Sequence, residues 1–145
     1  MNPRRVAGVG FMVLCVVLVA GIALSPLPLF AHHGSAVSYD TDIAKLITMN
    51  GIVKEWVWRN PHCFIIYEVK DADGNAVEWT AETSSIFSMT GEFGWSRTTL
   101  NPGDEITVSV LPSRAGTPAG LLYKVVASDG NVLIEDRSRL REDQR

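Results

Sequence analysis

From Ile47 to Trp58, and again from Cys63 to Lys70, the chain is dense in β-branched and aromatic residues, which predicts two strands. In the second run Cys63, Ile65, Tyr67 and Val69 fall on one face and Phe64, Ile66 and Glu68 on the other, because strand side chains alternate with period two. The first set reads as core. Between the runs, Asn60-Pro61 is a turn signal: proline fixes its own φ, cannot donate to a ladder, and keeps the residue before it out of the helical region. The first run is less regular. Val53, Glu55 and Val57 share one parity and Ile52, Lys54, Trp56 and Trp58 the other, so either a bulge interrupts the strand near Lys54 or Glu55 or both faces are covered.

Further along, Asp71–Asn75 is a tight turn, and Ala76–Glu82 alternates Val77, Trp79 and Ala81 against Glu78, Thr80 and Glu82, a third strand with its charges outward. Thr83 or Ser84 can cap a short helix over Ser85–Thr90, with Gly91 to end it. Phe93–Leu100 is an irregular apolar segment whose Trp95 is expected to plug one end of the sheet. Ile106–Leu111 and Leu121–Ser128 are strands four and five, separated by a Pro- and Gly-rich loop from Pro112 to Gly120, and Val132–Glu135 is a last short strand. Five main strands with a helix between the third and fourth predict an all-β fold with small α content, an OB-like five-stranded barrel. A β-sandwich is the competitor, and the inserted helix counts against it. In OB-type barrels ligands gather on strands two and three and on the loops joining strands one to two and four to five.

Composition changes the picture at the amino terminus. Arg4 and Arg5 precede an uncharged run from Val6 to Leu24, then a proline-containing stretch ending in the small residue Ala31, the succession of an export signal over residues 1–31. The domain is then expected over 32–135, followed by a charged flexible tail over 136–145. Cleavage after Ala31 gives a periplasmic or secreted protein that begins at His32; without it, a run near the roughly 20 residues that span a bilayer would anchor the protein to the membrane. Beyond residue 31, 11 basic residues face 16 acidic ones, with no basic stripe, so nucleic acid is not an expected partner. Cys63 is the one cysteine left after the leader, which rules out an internal disulfide in the mature chain and favours a buried thiol.

Four stretches carry a resemblance. They are Ala31-His32-His33-Gly34-Ser35, Trp58-Arg59-Asn60-Pro61-His62, Trp79-Thr80-Ala81-Glu82, and Gly94-Trp95-Ser96-Arg97 continuing through Pro102-Gly103-Asp104 to Val108. With them the chain resembles a group of small exported bacterial proteins of unknown function that carry AHHS, EWxNPH, W-x-x-E and GWTRxxLxPGDxVTV. It departs from the pattern in the glycine between the histidine pair and the serine, and in Val57 where a glutamate is usual. The resemblance implies export and an OB-like fold, and brings no activity with it.

The candidate chemistry rests on three histidines. An amino-terminal His32 would offer its α-amine and a ring nitrogen to one metal, and a third nitrogen from His62 or His33 would complete a site of the kind copper(II) accepts. An amine with pKa about 7.7 to 8.0 is partly deprotonated at neutral pH, so little proton displacement would be needed. The plainer alternative is a soluble histidine-bearing terminus and a His62 bonded within its own turn. Cys63 is not an expected ligand, since adjacent strand residues point to opposite faces. Glu82 is either an outer carboxylate or an exposed strand-end charge, and Arg97 either grips a carboxylate or makes a surface ion pair. Phe64, Ile66, Glu82 and Arg97 are the candidate ligand-binding set for a metal-free module that takes a partner protein or small ligand. Trp56, Trp58, Phe64 and Trp79 could add a stacking platform, or be core. The sequence holds no nucleophile elbow, phosphate loop or nucleotide fingerprint, so a hydrolytic enzyme has no support and the reading leans away from an enzyme without deciding it.

Overall fold

A computed structural model describes residues 37–136. The expected leader, His32, His33 and the expected tail beyond Asp136 lie outside the described residues. After a 3-10 turn (Ile43–Lys45) the elements are β1 (Ile47–Val57), β2 (Phe64–Lys70), β3 (Ala76–Glu82), helix α1 (Ile86–Phe93), β4 (Glu105–Pro112), β5 (Ala119–Ala127) and β6 (Val132–Glu135). The sheet runs β3-β2-β1-β4-β5-β6, and a parallel pairing of β3 with β5, from Thr80↔Ala119 to Glu82↔Leu121, closes the first five into a mixed barrel. This is the OB-like barrel that the element order predicts.

The mixed parity of β1 resolves as a bulge. Val53 pairs with Tyr67 and Glu55 with Ile66, so the register slips at Lys54. One extra residue flips the inward parity: Ile47, Met49, Gly51 and Val53 face in before the bulge, and Trp56 faces in after it, opposite the buried Ile65. Two-sided burial is not needed to explain the apolar residues on both parities.

Alternation in β2 holds as read, with Cys63, Ile65, Tyr67 and Val69 all buried. Gly51 lets β1 come close here, since a Cβ on it would lie 2.8 Å from Tyr67 Cδ2 and 2.9 Å from the Glu68 carbonyl oxygen. Helix α1 ends later than the sequence suggests. Gly91 sits inside it, and Gly94 at φ 69° supplies the left-handed stop, with Trp95 N–H donating to Met89 O at 2.9 Å. Ser85, rather than Thr83 or Ser84, is the cap, its Oγ accepting from Ser88 N–H. The helix seats Met89 and the following loop seats Trp95 in the core, where Trp95 meets Trp56 edge-on at 5.2 Å and donates Nε1–H to Leu133 O. Asp136, the first residue of the expected tail, is buried and donates its N–H to Tyr123 O.

A histidine–carboxylate pair and a cleft at the barrel mouth

The β1–β2 connection is fixed by bonds to the segment joining β3 to α1. Cys63 N–H donates to Ser84 O, Thr83 N–H to Cys63 O, and Asn60 Oδ1 accepts from Ile86 N–H at the start of the helix. His62 is thereby held beside the end of β3, where its Nδ1 hydrogen-bonds Glu82 Oε1. The other carboxylate oxygen accepts from Tyr39 Oη at 2.6 Å. An ionised carboxylate can only accept, so the proton of a neutral imidazole sits on Nδ1, and Nε2 carries the free lone pair. The His62 side chain is 50% exposed against 18% for Glu82, so the ring reaches solvent while the carboxylate orienting it is shielded. Burial, then the hydrogen bond and negative charge of Glu82, push the Tyr39 phenol well above its ordinary range and keep it a donor.

Tyr39 is the member that sequence reading missed. It sits in the arm that precedes β1, and nothing local in the sequence marks it. The arm is anchored beside β4 and β5: Tyr39 bridges Ser113, Asp40 N–H donates to Pro112 O, and Arg114 N–H donates to Ser38 O. Burial pushes the Cys63 thiol up, and its Sγ contacts the Arg59 carbonyl at 3.5 Å, an inert core thiol rather than a ligand. Among the described residues, no group of three or more His, Cys, Asp and Glu is arranged to hold a metal ion.

The candidate ligand-binding set is brought together only in part. Phe64 pairs with Glu82 and Ile66 with Thr80 on the outer face of β2 and β3, all four half-buried, and the Arg59 guanidinium lies 5.4 Å from the Phe64 ring centre. Arg97 is exposed in the turn before β4, and no contact among the described residues joins it to Phe64, Ile66 or Glu82. The stacking platform is split as well. The bulge turns Trp56 inward, where it packs on Trp58 at 5.4 Å and on Trp95; Phe64 stays outside; Trp79 stands elsewhere, in the wall of a cleft.

That cleft, of about 1170 Å³, opens where β1 parts from β2. Ile47–Ile52 pair with β4, but pairing with β2 begins only at Ile52↔Glu68. Likewise β3 pairs with β5 only from Thr80 onward, leaving Ala76–Trp79 without a neighbour on that side among the described residues. Ile47, Met49, Val69, Val77, Trp79 and Ile106 supply its apolar wall, and the β4–β5 loop borders it.

A closed five-stranded barrel with one helix between its third and fourth strands, and a histidine held by a carboxylate on the first loop, defines a small OB-like domain. Residues 20–123 match a family of unknown function (DUF6152), and the chain belongs to that family. No curated protein matches the chain, and no solved structure does.

Proposed function

We propose that this domain binds copper(II) through the Nε2 of His62 together with His32 and His33. The observation that carries the reading is the hydrogen bond of His62 Nδ1 to Glu82, the arrangement in which a carboxylate fixes ring orientation and tautomer so that the other nitrogen is ready for a metal. The same carboxylate holds Tyr39, and the seven-residue step back to His32 spans at most about 25 Å when extended, so the amino-terminal nitrogens are within covalent reach of His62. Export and cleavage after Ala31 are part of the proposal, because the chelate needs the free α-amine of His32.

Titration of the mature protein with copper(II), read by calorimetry and electron paramagnetic resonance, is expected to give one equivalent with a nitrogen-rich spectrum. One alanine added before His32 keeps all three imidazoles but moves the amine out of the chelate ring; affinity is then expected to fall at least about tenfold, roughly 1.4 kcal/mol. His62→Ala and Glu82→Gln are expected to weaken binding too, the second less. Unchanged titrations for the alanine-extended protein would remove the chelate. The cleft favours a second reading, a metal-free module for a partner protein or small ligand, and no copper uptake by the authentic terminus would leave that one standing.

A further inference from the structure

We infer that the cleft takes an extended segment of a partner protein, which pairs along the free edge of β1 and places alternate apolar side chains against Met49, Val77 and Trp79. The inference gives the partner-binding reading its site and occupant, and is independent of copper. Three observations meet there. The first is the edge itself: no described residue pairs with Ile47–Asn50 on the side of β2, which closes on β1 from Gly51 onward, although β1 is a central strand of the sheet. Exposed edges are ordinarily blunted by lysine, proline or a bulge, yet Ile47-Thr48-Met49-Asn50-Gly51-Ile52 has no charge and no proline, and the bulge comes only after it.

The second is incomplete burial. Ile47, Met49, Val77 and Trp79 pack against the core, but unlike Val53 or Tyr67 they remain partly exposed. An apolar floor alone would suit a small hydrophobic molecule. A floor bordered by peptide groups that no described residue pairs suits a strand, which satisfies the backbone through the ladder and the floor through every second side chain. The outer side chains do not compete for those groups, since Thr48 is bonded to Ser109 and Asn50 to Thr107 across the β1–β4 ladder.

The third is charge. Of the carboxylates lining the cleft, Glu68 is shared by Lys54 and Lys70, and Asp71 is occupied by the N–H groups of its own turn. Glu105, opposite Ile52, is exposed and has no ion pair among the described residues. A strand carrying lysine or arginine at its outward positions complements it; an acidic one does not.

The test uses the mature protein without metal and a blocked hexapeptide alternating valine and lysine. Saturable binding is expected, with slowed amide hydrogen exchange within Ile47–Asn50. Affinity should fall at least tenfold for the same peptide N-methylated on the residues that face β1, and at least tenfold in Glu105→Lys, an exposed change whose fold is checked by circular dichroism. Equal binding of the N-methylated peptide would replace the strand with a small hydrophobic ligand. Failure to bind at millimolar peptide would overturn the proposal, as would a concentration-dependent dimer that protects the same amides without peptide, which would make a second copy the occupant. Copper uptake is not involved in any arm, so the two readings fail separately.

Discussion

Gly120 and Gly91 show how the same residue type does opposite work at two positions. A Cβ on Gly120 would lie 2.5 Å from Val110 Cβ and 2.9 Å from the Leu111 carbonyl oxygen, so β5 can approach β4 there only without a side chain. Gly120→Ala is expected to cost about 1 to 3 kcal/mol, the range for forcing extra atoms into packed surroundings. Gly91 lies inside α1 with nothing within 4 Å of its would-be Cβ. Gly91→Ala should stabilise by about 0.5 to 1 kcal/mol through helix propensity alone. Urea midpoints for the pair check both signs; a stabilising Gly120→Ala would mean that the two strands stand farther apart than described.

At the scale of elements, the tryptophans separate core from cleft. Trp95 is 3% exposed and fixed at both its ring and its indole N–H, so Trp95→Ala is expected to cost about 3 to 5 kcal/mol. Trp79 shares the inward parity of β3 but stands half-covered beside the cleft, and its loss should cost only about 1 to 2 kcal/mol of buried apolar surface. Equal destabilisation in denaturant melts would put Trp79 in the sealed core. Parity was legible in the sequence because it needs only a period of two, and so were the β3 faces, the β2 core face and the Asp71–Asn75 turn, where Gly74 takes φ 84°. Coverage was not, since whether an inward residue is sealed depends on where two strands part company. The histidine site was half-legible for a related reason. Asn60-Pro61 marked the loop that holds His62, but the partnership with Glu82 and Tyr39 joins residues 20 and 43 positions apart, and no local signal encodes it.

For the whole molecule, two phenols tie stability to alkaline pH. Tyr67 is fully buried with no hydrogen-bond partner for its hydroxyl among the described residues, and burial pushes its ionisation well above the ordinary tyrosine range; Tyr39 shifts the same way, through burial and then Glu82. Both folded values are raised, so the neutral form is the one the fold favours. Their contribution is fully present below the unfolded pKa of about 10 and is lost as pH rises above it. Chemical melts between pH 8 and pH 11 should show a steep loss for the parent and a shallower one for Tyr67→Phe, which at neutral pH should be as stable as the parent or more so, because it deletes an unsatisfied buried group. Parallel curves for the two proteins would show that Tyr67 ionises as freely folded as unfolded.

The barrel is closed by three residue pairs, Thr80↔Ala119, Ala81↔Gly120 and Glu82↔Leu121, between strands roughly forty residues apart in sequence. Three pairs hold this closure against six between β1 and β4, so the ring is expected to open more readily than the β1–β4 seam. Amide exchange should accordingly be faster at Thr80–Glu82 than at Ile65–Tyr67 in the middle of the sheet. Glu82 rides on that seam while gripping His62 and Tyr39. Opening of the ring is therefore expected to part Tyr39, anchored with its arm at Pro112–Arg114, from Glu82, while His62 stays with the carboxylate across the β2–β3 ladder, so the phenol and the imidazole let go in separate events.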